Sequence, residues 1–291
     1  MAITAGDIAK LRASTGAGMM DCKNALTEAQ GDMEKATDLL RKKGILKAAK
    51  RADKVASEGV VVAYLSADSK IGALVEVNCE TDFVSGSEGF VQFANSIVEA
   101  VAKENPADET ALQSVKLSSG ETVEAVINEL GLKLGEKISI RRFVRYQTDG
   151  LVATYLHGKK IGIILELIGG NATVGTDVAM HIAATNPRCV DRTSIDPALV
   201  AKEREIYIDQ LKQQGKPENM IENILKGKLD KYYAEVCLVE QPFIKNEEIK
   251  VEKLLADNGA KLVRFTRFEL GEGIEKVVKN FADEVAEQMG A

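Results

Sequence analysis

The sequence has no tryptophan, two histidines, five prolines and few aromatic residues. Its four cysteines, Cys22, Cys79, Cys189 and Cys237, are scattered singly, with no CxxC pair. That spacing argues against a metal site or a disulfide framework and fits reduced thiols in a cytosolic protein. No apolar run reaches the roughly 18 residues expected of a membrane span. Met1-Ala2-Ile3-Thr4 shows no charged region leading into an apolar one, so no export signal is expected. Positive charge is not in excess: 38 Lys and Arg stand against 44 Asp and Glu, a net charge of −6. This disfavours a general nucleic-acid binder, whose affinity comes mostly from cations on phosphates, while leaving room for a local basic patch. Catalytic machinery is equally scarce. His157 falls in a turn, His181 reads as a satisfied ring on a helix, and no serine sits in a nucleophile-elbow context. No catalytic residue, metal ligand or cofactor is assigned.

What is present is ample aliphatic core material and a chain of 291 residues, enough for two domains or three small ones. Thr4 to about Lys43 reads as three short helices, with breaks at Thr15-Gly16-Ala17-Gly18 and Gln30-Gly31 and an end at Gly44. Gly16-Ala17-Gly18 lacks the GK[ST] ending of a phosphate loop. Met19-Met20 beside it can be core or a soft partner surface. Ile45 to Ser57, with Lys47, Lys50, Arg51 and Lys54, reads as a solvated helical linker.

An internal repeat follows. Gly59-Val60-Val61-Val62-Ala63-Tyr64-Leu65 and Ile71-Gly72-Ala73-Leu74-Val75-Glu76-Val77 recur as Gly150-Leu151-Val152-Ala153-Thr154-Tyr155-Leu156 and Ile161-Gly162-Ile163-Ile164-Leu165-Glu166-Leu167. Each copy has the signature of a β-hairpin. Each leads into a helix, Phe90–Lys103 or Asp177–Ala184, and closes with a basic-aromatic strand, Ile138–Val144 or Leu262–Phe268. Two α+β units are expected, each a three-stranded antiparallel sheet with helices on one face. The alternating arginines of the closing strands are expected on the solvent face. An insertion from Asp196-Pro197 to Val236 reads as an antiparallel helical hairpin with arms roughly 30 Å long. It serves as a partner contact or as a stable protrusion. Leu270-Gly271-Glu272-Gly273 lacks the third glycine of a dinucleotide fingerprint, and a last amphipathic helix spans about Ile274 to Gln288.

The stretch Asn78-Cys79-Glu80-Thr81-Asp82-Phe83-Val84 leaves a strand and enters the small polar loop Ser85-Gly86-Ser87-Glu88-Gly89. On the residues alone, Phe83 tucks onto the sheet edge and Asp82 caps the next helix.

Several motifs together carry a resemblance. They are Thr15-Gly16-Ala17-Gly18-Met19-Met20-Asp21-Cys22-Lys23, Glu76-Val77-Asn78, Thr81-Asp82-Phe83-Val84, Met180-His181-Ile182-Ala183-Ala184 and Gly271-Glu272-Gly273-Ile274-Glu275-Lys276. The chain resembles the elongation factor Ts family over nearly its whole length. Residues 105–119 carry nothing over. The resemblance implies an α+β protein: a ubiquitin-associated-like three-helix module with its linker (1–56), core subdomains over 57–148 and 149–278, a protruding hairpin (194–236) inside the second, and the end of a C-terminal helix (279–291). It implies a guanine-nucleotide exchange factor for elongation factor Tu, in the cytoplasm, with no direct nucleic-acid or membrane partner. Higher-order assembly of that complex stays open. Thr81, Asp82, Phe83 and Val84 are then the stretch that dislodges the partner's Mg²⁺, with Phe83 as a wedge rather than core. Met19, Met20, Lys23, Arg51, Leu134, Gly135, His157 and Ile244 are further partner contacts. A non-catalytic helical adaptor and an RNA-binding protein are the rival readings.

Overall fold

The computed structural model describes residues 3–51 and 53–275; the expected last helix falls almost entirely outside the described residues. The first three helices are α1 (Ala5–Thr15), α2 (Met19–Glu28) and α3 (Met33–Lys50). Thr4 and Asp7 close a capping box on α1, each side chain accepting the other's backbone N–H, which satisfies two donors that the first turn leaves orphaned. Leu11, Cys22, Leu26, Ala36 and Leu40 form the small core between them.

The first unit comprises β1 (Glu58–Leu65), β2 (Ile71–Cys79), α4 (Asp82–Gly86), α5 (Glu88–Glu104), α6 (Glu109–Gln113), α7 (Val123–Leu134) and β3 (Ser139–Gln147), with sheet order β1-β2-β3. The second comprises β4 (Leu151–His157), β5 (Ile161–Gly169), α8 (Ala172–Thr185), the hairpin α9 (Pro197–Gln213) and α10 (Glu218–Val236), a 3₁₀ turn at Leu238–Glu240, β6 (Pro242–Phe243), β7 (Asn246–Lys250), α11 (Val251–Asp257) and β8 (Ala260–Glu269). Its sheet order is β4-β5-β8, and all pairings in both sheets are antiparallel. Both sheets shift register at the same place, between Glu76 and Val77 on β2 and between Glu166 and Leu167 on β5.

Several expected boundaries move. Helix α3 runs through Gly44 to Lys50 instead of stopping there. Gly44 is buried against α7, where a methyl group would lie 3.5 Å from Asn128 O and from Leu132 Cδ2, so this glycine serves helix approach rather than helix termination. Helix α8 begins five residues before Asp177 because Asn171 caps it, accepting Val174 N–H at 3.1 Å.

The largest departure concerns the closing strands. One face of each sheet packs on its helices: Val60, Val62, Ala73, Val75 and Val77 meet α5, while Ala153, Ile163, Leu165 and Leu167 meet α8. The other face meets the other sheet, through Val61, Leu74 and Tyr146 against Val152, Ile164 and Phe268. Covered on both sides, β2 and β5 read as continuous apolar runs rather than alternating ones. The first closing strand's arginines therefore do not simply face solvent, whereas Arg264 of the second stays exposed. Arg141 and Arg142 donate to fully buried Glu76, at 3.0 and 2.6 Å, and Arg145 donates to Ala102 O at 2.8 Å. Arg142 stacks over Phe268 at 4.3 Å, and its counterpart Arg264 pairs with Glu166 and stacks over Tyr146 at 4.1 Å. Arg142 and Arg264 thus reach across from one unit to the other, and Arg141, Arg142 and Arg145 are engaged within the fold rather than standing as a row of free cations. Burial alone would push the Glu76 carboxyl up, but Gly271 N–H and the two guanidinium groups outweigh it and hold the group below the usual carboxylate range.

A candidate partner-binding site

Thr81 to Val84 is not a loop. Thr81 is the N-cap of α4, its hydroxyl accepting Val84 N–H at 3.4 Å, so Asp82, Phe83 and Val84 form the helix's first turn. Asp82 stands exposed within that turn and caps nothing; Ser87, not Asp82, occupies the N-cap position of α5. Val84 points into the first unit's core beside Phe90. The helical turn that buries Val84 leaves Phe83 outside, with 87% of its surface exposed. The placement on the sheet edge is thus corrected.

Two carboxylates fasten the stretch. Glu136 Oε2 accepts the backbone N–H groups of Glu80 and Thr81, at 3.0 and 2.9 Å, and its Oε1 accepts the Thr81 hydroxyl at 2.5 Å. Glu80 Oε1 in turn accepts Lys137 N–H at 2.6 Å and Arg51 Nη1–H at 2.8 Å. Cys79 closes the underside by donating to Thr81 O at 3.1 Å. Burial, with the Glu136 charge nearby, pushes that thiol up to about 12, so it is an inert thiol and not a nucleophile.

Beside Phe83 lies an open groove of about 620 Å³, walled by Glu58 and Gly59 on one side and by Lys159 and Lys160 of the second unit on the other. His157 ends β4 just before that turn, exposed, its Nδ1 3.4 Å from Tyr155 Oη. Leu134 is half-buried on the first unit's core, and Gly135, at φ 75°, ends α7 in the left-handed conformation and leads directly into Glu136. Arg51, the Thr81–Val84 turn, Gly135 and the His157 turn therefore surround one region.

The remaining expected contacts lie apart from it. Met19, Met20 and Lys23 project from α2 into solvent. Their module leans on α7 through Leu132 and on the residues just before that helix through an Arg41–Glu121 ion pair at 3.0 Å. Ile244 sits exposed between β6 and β7, its N–H donating to His181 Nδ1 at 3.2 Å. His181 is fully buried, and its Nε2 lies 2.9 Å from Gln241 Oε1. Because Nδ1 accepts, Nε2 carries the proton. Burial lowers this imidazole's affinity for a second proton, more than Gln241 raises it.

Sequence reasoning missed Glu80 and Glu136 as site residues. Each adjoins an assigned motif, but nothing along the chain signals that positions more than fifty residues apart exchange hydrogen bonds. It also missed the approach of Cys189 and Cys237, whose sulfurs lie 3.4 Å apart at the root of the hairpin.

A family model described as Elongation factor TS matches residues 80–272, which spans the stretch around Phe83, the closing strand of the first sheet, the whole second sheet and the hairpin. Elongation factor Ts of Methylococcus capsulatus is 46% identical over 292 residues, covering all of both chains. That of Nitrosospira multiformis is 48% identical over 291 residues, covering 99% of this chain and 96% of its own. The protein of the same name from Halothermothrix orenii is 46% identical over 296 residues, with 99% of each chain covered. A match of this extent, over the elements that shape the Phe83 region, places the chain in the elongation factor Ts family of translation elongation factors.

Proposed function

We propose that this chain binds elongation factor Tu carrying GDP, in the cytoplasm, and speeds GDP release so that GTP can replace it. A GTPase holds its nucleotide through backbone amides and a Mg²⁺ that bridges phosphate oxygens. Loss of that ion removes the largest local positive charge and leaves the phosphates poorly neutralised. Phe83 acts as a wedge entering the partner near the ion, and Asp82, exposed in the same turn, hydrogen-bonds there rather than taking the metal directly. The chain supplies no covalent or metal chemistry of its own.

One observation carries this reading. Phe83 is more exposed than any other large apolar side chain among the described residues, yet it sits on a turn pinned on both flanks. Leaving a benzyl group in water forgoes about 1.5–3 kcal/mol of burial that a partner can restore.

Coupling is reciprocal: a factor that weakens nucleotide binding is itself weakened by nucleotide. Shifting a two-state equilibrium fully from one side to the other needs about 5.5 kcal/mol of preferential binding. One phenylalanine does not reach that figure. Met19, Met20, Lys23, Arg51, Leu134, Gly135, His157 and Ile244 supply the rest, across a module over 1–56 and two core units over 57–148 and 149–278. The test is release of fluorescent GDP from purified elongation factor Tu. The chain should accelerate it, and Phe83→Ala should lower the saturating rate far more than it weakens assembly. Wild-type exchange by the variant removes the wedge; no acceleration by the intact chain removes the whole reading.

A further inference from the structure

We propose that Glu136 is the positioning residue that sets the Phe83 turn. It makes no claim on the partner itself, and the inference rests on the wedge reading above for its functional consequence.

The turn leaving β2 and the turn leaving α7 exchange carboxylates. Glu136 takes two part-buried backbone N–H groups at the mouth of the first turn, those of Glu80 and Thr81. Glu80 reaches back to take the N–H of Lys137, next to Glu136. Each acid thus saturates donors that the other's turn cannot satisfy within itself. Hydrogen bonds to an ionised acceptor are short and strong, which gives this crossed pair more stiffness than two neutral turns would have.

The consequence for Phe83 runs through one hydroxyl. Thr81 Oγ1 donates its hydrogen to Glu136 and is thereby left to accept from Val84 N–H. That acceptance is the cap that makes residues 82–84 helical, and helical geometry is what turns Phe83 outward while Val84 turns inward. Without Glu136 the hydroxyl is free to rotate, and two backbone donors lose their partner. The turn can then relax, and Phe83 gains the option of folding onto the adjacent groove. Glu80 also holds Arg51, the first residue after α3, so the same clamp joins the three-helix module to the wedge.

The experiment is a double-mutant cycle in the full-length chain with Glu136→Ala, Phe83→Ala and their combination, plus Glu136→Gln. Two readouts are taken. The first is GDP release from elongation factor Tu, split into saturating rate and half-saturating concentration. Glu136→Ala should lower the saturating rate roughly tenfold, the scale of lost hydrogen bonds to a charged acceptor, with little change in half-saturation. The double variant should be no slower than Phe83→Ala alone, because Glu136 acts only through that side chain. Glu136→Gln, which keeps an acceptor oxygen, should recover part of the rate. Effects that multiply in the double variant, or an unchanged rate in Glu136→Ala, overturn the inference. The second readout is amide hydrogen exchange of Glu80 and Thr81 in the free chain, which should quicken in Glu136→Ala at unchanged global stability; unchanged protection also overturns it. If Phe83→Ala itself is silent, the wedge fails, and the amide readout still decides the clamp.

Discussion

His181 shows what one buried side chain does at the level of the residue. Its Nδ1 accepts from Ile244 N–H and its Nε2–H donates to Gln241, which also accepts from Thr185 and donates to Glu235 O. Every polar atom of the ring and the amide is occupied, the condition for burying them without penalty. A second proton on the ring would evict the Ile244 N–H. The folded-state pKa therefore lies below the ordinary value of about 6.5, and the unfolded chain takes up the proton first as pH falls. This group's contribution to stability is present in full above pH of about 6.5 and declines below it, down to the depressed folded-state value. His181→Asn should be less stable than the parent at neutral pH, and the gap in thermal midpoint should narrow as pH is lowered from about 7.5 to about 5.5. A gap that stays constant or widens on acidification would mean that the ring is not held neutral.

Between elements, the two halves of the repeat meet as a pseudo-twofold pair. Val61 N–H donates to Lys159 O and Val152 N–H donates to Ser69 O, both at 2.8 Å, so each outer strand pairs with the other unit's hairpin turn. A methyl group on Gly72 would lie 2.6 Å from Val152 Cγ1, and one on Gly162 would lie 2.5 Å from Val61 Cγ1 and 2.6 Å from Leu74 Cδ1. The Ile-Gly pair recurs in both copies because each glycine admits the facing sheet. Neither has an unusual backbone angle, so the constraint is space alone. Gly72→Ala and Gly162→Ala should each lose about 1–3 kcal/mol from overpacking, read as a lower urea midpoint at unchanged slope. Neutral substitutions would show that the sheets can part without cost. The repeat itself, its strands and its hairpins were legible in the chain as periodicity. That the repeats stack face to face was not, because a doubly covered strand and a strand with one wet face differ only in what lies opposite. The same blindness put Arg141 and Arg142 in solvent: alternation along a strand identifies a second face but not its occupant.

For the whole molecule, the hairpin is the part most separable from the rest. The cores of the first module, of both units and of the seam contain no residue of α9 or α10. Its root is a cluster of its own, with Cys189, Ile195, Tyr232, Val236 and Cys237, braced by Arg192 between Asp230 and Glu240 and over the Tyr233 ring. Replacing residues 208–226 by a short glycine linker should leave the body unfolding at the temperature of the intact chain in calorimetry. A lowered main transition would mean that the arm supports the core after all. Among the described residues, no helix is long and apolar enough to cross a membrane.

The amino-acid sequence by itself determined the three-helix module, the strands of the repeat and their duplication, the inserted hairpin and, through its motifs, the family. Those properties are local: they depend on residues within a few turns or on short ordered strings. Tertiary structure alone decided that Glu80 and Glu136 exchange hydrogen bonds between two turns, that Arg142 reaches from one sheet to the other and that α3 continues past Gly44. Each of these depends on a partner atom more than fifty residues away in the chain, and periodicity carries no information about such a neighbour until the backbone has closed around it.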